Sequence, residues 1–258
     1  ASIVDGCFLS RGVMKRFRHS NPADLERVLC QLPLDAGKLV VVDGVFSMGG
    51  DIAPLPEYVP LCKKYNARLM VDDAHSVGVL GGGKGTPVHL GVNDDVDLVM
   101  GTFSKSFASL GGFLAGSESV IHYVQHHARS LIFSASMPPA NVAAVTAALD
   151  VMKEEPELIE RVNQIGDRMR EEFQRLGFNT GTSQTPIIPI IIGDQDATFF
   201  IWKVLFEEGI YTNPVIPPAV PPNLSLLRTS YMATHTDAQL EFVLEKFEKI
   251  GKLAGLIP

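Results

Sequence analysis

The chain has few cysteines, no long apolar run and no concentrated basic stretch, and each shortage closes off a class of protein. Its three cysteines, Cys7, Cys30 and Cys62, are odd in number and fit no metal-ligand spacing. They read as reduced thiols of a cytoplasmic protein rather than as a disulfide framework. No hydrophobic stretch approaches the roughly 20 residues that cross a bilayer, and no secretory leader is expected. A net charge of -7, with the densest basic run only Lys15-Arg16-Phe17-Arg18-His19, argues against a nucleic-acid binder. Internal repeats and low-complexity tracts are absent as well. The chain opens at Ala1 without an initiator methionine, and a fragment lacking an N-terminal part is expected.

What is there is globular: 258 residues, 46% hydrophobic and 20% charged, enough for one large domain or two modest ones. Residues 1–13 read as the end of a helix or a loop, and Lys15 to His19 as a short strand. Asn21-Pro22-Ala23-Asp24 is a helix start, with Asn as cap and Pro in the first turn. Leu39 to Phe46 and Arg68 to Asp73 are uninterrupted apolar runs that suit parallel strands buried on both faces. Val96 to Met100 and Gly112 to Gly116 add a third and a fourth strand. Helical stretches lie at 55–65, 118–129 and 141–152. Strands alternating with helices imply βαβ units and an α/β class with a mostly parallel sheet.

Beyond residue 150 the pattern changes. Glu157 to Leu176 is an amphipathic helix stopped by Gly177. Ile187 to Ile192 is a strand placed at an edge by Pro189. A helix at 198–208, strands at 210–215 and 226–230, and a closing helix from Asp237 to Leu253 complete a smaller α+β domain. The boundary falls near 145–155, giving a large domain at 1–150 and a small one at 151–258.

Ligands of open α/β sheets bind beyond the carboxyl ends of the strands. Here those ends are chemically unusual. One strand runs into Asp43-Gly44-Val45-Phe46-Ser47-Met48-Gly49-Gly50-Asp51. The next runs into Asp72-Asp73-Ala74-His75-Ser76-Val77-Gly78, and the third into Gly101-Thr102-Phe103-Ser104-Lys105. Aspartate at the end of a buried strand is costly unless it meets a cation. A lysine in an apolar pocket can act as an amine nucleophile toward a carbonyl. Pyridoxal phosphate requires such a lysine and an acidic partner for its pyridinium nitrogen.

Taken together, these stretches resemble the α-oxoamine synthases. Further pieces of the resemblance are Ser136-Met137-Pro138-Pro139, Leu227-Arg228-Thr229-Ser230 and Ala233-Thr234-His235-Thr236. That family implies a fold-type I, aspartate-aminotransferase-like transferase that uses pyridoxal 5'-phosphate to condense an amino acid with an acyl-CoA, losing carbon dioxide. By position, the resemblance makes Lys105 the Schiff-base lysine and the base for the α-proton. It sets Asp72 opposite the pyridine nitrogen, with Asp73 on the other side of the strand. His75 would bond the ring's phenolic oxygen, with Ser47 nearby. Thr102 would bind the phosphate, Ser134 would reach the phosphate of the neighbouring subunit in a homodimer, and Arg228 would clamp the substrate carboxylate. Ala135 stands where some relatives have Thr.

Leu226–Thr236, Gly101–Ser106 and Pro217–Pro221 most resemble the branch of the family that joins L-serine to palmitoyl-CoA, giving 3-ketosphinganine for sphingolipid synthesis. The glycine branch, which makes 2-amino-3-ketobutyrate, and the alanine branch, which makes 8-amino-7-oxononanoate, are the runners-up. The ring-stacking residue and the glycine-containing segments of the family lie upstream of the block that begins at Ala1. The chain alone is therefore expected to bind the cofactor weakly and turn over poorly. A catalytically silent partner subunit is the alternative of another class, and the presence of Lys105, Asp72 and His75 speaks against it.

Three rival patterns fall short. Gly78 to Gly85 nearly fits a phosphate-binding loop, but Gly85 replaces the required Ser or Thr. His122 and His126 are four apart, but Tyr123 stands where a zinc protease needs Glu, so they read as helix-surface histidines and no metal is expected. Thr102 replaces the Ser that a serine–lysine hydrolase carries three residues before its lysine.

Overall fold

The computed structural model describes all residues, 1–258, and divides into two compact units: Ala1–Gly44 with Ala53–Asp150, and Val45–Ile52 with Val151–Pro258. The second unit thus takes back an eight-residue segment from within the first, where a single cut near 150 leaves it in the large domain.

The first unit begins with α1 (Ser2–Leu9), α2 (Pro22–Leu29), β1 (Leu39–Asp43), α3 (Leu55–Lys64) and β2 (Arg68–Asp72). It continues through α4 (Thr86–His89), β3 (Leu98–Thr102), β4 (Gly112–Gly116), α5 (Glu118–His127) and α6 (Arg129–Ile132). The helix α7 (Pro139–Glu154) runs across the division. The strands form one sheet in the order β1-β2-β3-β4. The first two pairings are parallel and the last is antiparallel. Asn21 caps α2 as its composition implies, accepting from the Asp24 amide at 2.8 Å. Asp24 in turn accepts from the Arg18 amide at 2.8 Å. That bond takes a donor a strand would need, and Lys15–His19 is irregular rather than β.

Side chains alternate across a strand. Val40 and Val42 of β1, with Leu69 and Val71 of β2, are all at most 6% exposed. α3 packs against β2 and α2, burying Leu55, Tyr58, Val59 and Cys62. The opposite face differs from the expectation of burial on both sides. Val41 and Met70 are only half-buried, and Leu39 is 54% exposed. A cavity of about 510 Å³ lies over this face, lined in part by Ile3, Val13, Leu39, Val41, Met70 and Asp72.

The second unit holds α8 (Glu157–Leu176), β5 (Ile187–Gly193), α9 (Gln195–Glu207), β6 (Asn213–Val215), β7 (Ser225–Ser230) and α10 (Asp237–Leu253). Its antiparallel sheet has the order β5-β7-β6, so Pro189 does sit on an edge strand. Gly177 stops α8 at φ 101°, and a reciprocal capping box between Thr236 and Gln239 starts α10. The core joins Ile165, Met169 and Phe173 of α8 to Ile188, Leu205, Leu227 and Phe247. The Phe173 and Phe247 rings meet edge-on at 5.0 Å. Each such side chain contributes about 1.5–3 kcal/mol by leaving water. The segment Val45–Ile52 is sewn in by Gly50, whose carbonyl accepts from the Gln184 amide (3.0 Å) and the Thr185 hydroxyl (2.9 Å). A Cβ at Gly50 would stand 2.0 Å from the Ile187 carbonyl oxygen, and φ is +67°, so only glycine fits there.

Candidate active site

In the first unit the parallel strands deliver their polar residues to one end of the sheet. Asp43 and Asp72, the last residues of β1 and β2, are direct register partners. Both are half-buried, and Asp72 lines the cavity. One oxygen of Asp72 accepts from the Ala74 amide at 3.1 Å. Burial, and then the neighbouring Asp72, pushes the Asp43 carboxyl above its ordinary range, while Lys105 is among the cations that pull it back down. The charge of Lys105 is therefore felt at Asp43. Sequence reading left Asp43 out of the site, because which strands are neighbours, and in what register, is not written in either strand alone.

Asp73 points the other way, as alternation requires, and is fully buried. Its carboxylate accepts from the Ser76 hydroxyl and, at 2.9 Å, from the Thr86 amide that opens α4. Burial raises its pKa against the pull of those bonds. The turn it anchors, with the Ser76 and Val77 amides both 3.0 Å from the Asp73 carbonyl, carries the half-buried His75. The same carboxylate explains why Gly78–Gly85 is no phosphate loop. The glycine run does open a helix, the single turn α4, but Asp73 already occupies its amino end. A Cβ at Gly85 would lie 2.0 Å from Asp73 Oδ2.

β3 ends at Thr102, and the chain loops back into β4. The Phe103 amide donates to the Gly111 carbonyl (2.9 Å) and the Ser109 amide to the Phe103 carbonyl (2.8 Å). Phe103 packs on Phe107 and Phe113 at 5.4 and 5.8 Å. A Cβ at Gly101 would meet the Phe113 ring at 2.3 Å, so glycine there lets the aromatic anchor lie flat. The Thr102 hydroxyl is 2.9 Å from that of Ser104, and Ser106 ties the loop to the histidine turn through the Val77 carbonyl at 2.8 Å. Lys105 sits at the crest of this pinned loop and is exposed, not enclosed in an apolar pocket. Phe107, two residues on, is buried.

The structure thus brings Asp72, His75, Thr102 and Lys105 onto adjoining turns of one unit. Ser134 lies on an exposed stretch after α6 and bonds to none of them. Ser47 and Arg228 belong to the second unit, where Arg228 Nε donates to the Ser47 carbonyl at 2.6 Å. Arg228 is half-buried, and burial alone displaces its pKa, downward, so no carboxylate neutralises it. A desolvated guanidinium without an anion is a place for a carboxylate to dock.

Residues 1–247 match the family described as aminotransferase class I and II. The chain belongs to that family. A serine palmitoyltransferase of Sphingobacterium spiritivorum is 48% identical over 257 residues, covering 99% of this chain and 64% of that protein. The 8-amino-7-oxononanoate synthase of Thermosipho melanesiensis is 43% identical over 258 residues, covering 100% and 66%. A solved structure of SPT with PLP internal aldimine superimposes with a TM-score of 0.96 at 38% identity, covering 100% and 65%. The chain spans just under two thirds of the length of each. Both named relatives are α-oxoamine synthases, so the family resemblance read from the motifs extends over the whole chain, and the fold is that of a fold-type I transferase. No helix is long and apolar enough to cross a membrane.

Proposed function

We propose that the protein is a pyridoxal-phosphate-dependent acyltransferase that joins L-serine to palmitoyl-CoA, releasing CoA and carbon dioxide and giving 3-ketosphinganine. One observation carries the reading: Asp72 ends β2, and Lys105 lies on the loop just past the end of the neighbouring strand β3, where its charge opposes the rise that burial and Asp72 impose on the Asp43 carboxyl. An acid and an amine at adjacent strand ends are the two groups the cofactor needs. The residues present fit it. Lys105 would hold its aldehyde carbon, Asp72 its ring nitrogen, His75 and Ser47 its phenolic oxygen, and Thr102 its phosphate together with Ser134 of a second copy in a homodimer. When bound, the cofactor supplies an electron sink for charge on the amino acid's α-carbon.

The protein's own groups do the rest. Arg228 binds the serine carboxylate and sets the orientation of the α-carbon. The Lys105 amine takes the α-proton, a step in which a positioned base is worth about 10²–10⁴-fold. The α-carbon then bonds to the acyl carbonyl carbon and the CoA thiolate leaves. The carboxylate departs as carbon dioxide, and Lys105 returns a proton to the α-carbon. In this reading the first unit is the cofactor-binding large domain and the second the small domain. The enzyme works in the cytoplasm, in keeping with three free thiols.

A second reading, formation of 8-amino-7-oxononanoate, is favoured by the 43% identity to the Thermosipho enzyme. A screen of the full-length protein separates the two. Serine, glycine and alanine are each offered with palmitoyl-CoA and with short-chain acyl-CoA, and free CoA thiol is measured. Serine with palmitoyl-CoA is expected to be fastest. Alanine as the preferred amino acid selects the second reading, and no release from any pair overturns both.

A further inference from the structure

α5 carries two histidines one turn apart, His122 and His126, that the proposed reaction does not use. Their ring centroids are 4.3 Å apart at a 32° tilt, and both side chains are exposed. The Nδ1 of His126 lies 2.8 Å from the His122 carbonyl oxygen. A carbonyl only accepts, so Nδ1 carries a hydrogen, and in the neutral ring the nitrogen left with a lone pair for a metal is Nε2. A bond of this kind on the far nitrogen is what orients imidazoles that bind metals.

We propose that His122 and His126 form a two-histidine chelate for a borderline divalent transition metal such as Zn²⁺, Ni²⁺ or Cu²⁺. Residues four apart share one helix face, and histidines at that spacing are how helices present a pair of nitrogens to zinc. No set of three or more metal-ligating side chains is grouped anywhere in the chain. Water fills the remaining positions, and the site is open rather than a closed structural one. The next residue along offers an internal control. His127 stacks on Tyr123 at 4.1 Å and makes the same Nδ1 bond, at 2.9 Å, to the Tyr123 carbonyl. There the second group is a phenol rather than an imidazole, so the pair offers one ring nitrogen instead of two. An ion bridging His122 and His126 clips one turn of the folded helix and stabilises it by mass action.

The test titrates the full-length, tag-free protein with Ni²⁺ and with Zn²⁺ by calorimetry at neutral pH. One ion per chain is expected. Affinity falls at least about tenfold in His122→Ala and in His126→Ala, no less than the loss of an outer-shell partner costs, and is unchanged in His127→Ala. Cu²⁺ binds more tightly than Zn²⁺. His126→Gln, which keeps helix propensity, is expected to lose binding as His126→Ala does. No binding by the wild type, equal binding by all variants, or a loss as large in His127→Ala overturns the proposal.

Discussion

The two sheets are covered in opposite ways. In the three-stranded sheet, adjacent residues of one strand are buried on opposite faces: Leu227 joins the large core, and Leu226 joins a smaller cluster with Val215 and Val220. In the four-stranded sheet only the face of Val40, Val42, Leu69 and Val71 is sealed, and the other overlies a cavity. The sealed sheet carries one desolvated cation, the half-buried Arg228. The half-covered one carries Asp43 and Asp72 at its strand ends and Lys105 beyond them. Asp43 and Asp72 stand on the half-covered face, whereas the fully buried Asp73 on the sealed face is held by the Ser76 hydroxyl and the Thr86 amide, as a buried charge requires.

If this contrast is right, equivalent damage has unequal effects. Phe173→Ala, in the sealed core, is expected to cost about 3–5 kcal/mol, read as a lower urea midpoint. Val41→Ala, on the half-covered face, costs a small fraction of that, and equal costs would break the comparison. Arg228→Lys comes next. It keeps the charge and loses the fork, so KM for the amino acid should rise about tenfold, roughly 1.4 kcal/mol, with kcat much less changed. An unchanged KM would remove Arg228 from substrate binding.

The smallest effect has the opposite sign. The Asp43 carboxyl is raised by burial and by Asp72, so its ionised form is disfavoured in the folded state. Stability from this group is complete below its unfolded pKa and is lost as pH rises through the folded one. Asp43→Asn should therefore be more stable than wild type at neutral pH, and the two should converge in acid. Thermal melts at both pH values check it, and a variant less stable at neutral pH contradicts it.

Much of this was legible in the sequence where the signal is local. Gly177 marks the end of α8, and the closing helix expected over Asp237–Leu253 is α10 with those same bounds. Period-two alternation separates Asp72 from Asp73. What was not legible depends on neighbours. The basic run at Lys15–His19 has strand-like residues, but Asp24 captures the Arg18 amide. The transfer of Val45–Ile52 to the second unit rests on contacts made more than 130 residues away. The Asp43–Asp72 pairing needs the register of two strands that are not adjacent in the chain. Lys105 is exposed although Phe107, two residues on, is buried, and no spacing rule states that.

The most direct test asks where the cofactor attaches. The full-length protein is incubated with pyridoxal phosphate, reduced with borohydride, digested and mapped by mass spectrometry, alongside Lys105→Ala. A near-visible absorbance band before reduction, and one pyridoxyl-labelled peptide carrying Lys105, are expected. Both should be absent in the variant. A label of equal yield on another lysine, or a band that survives in Lys105→Ala, would contradict attachment at Lys105.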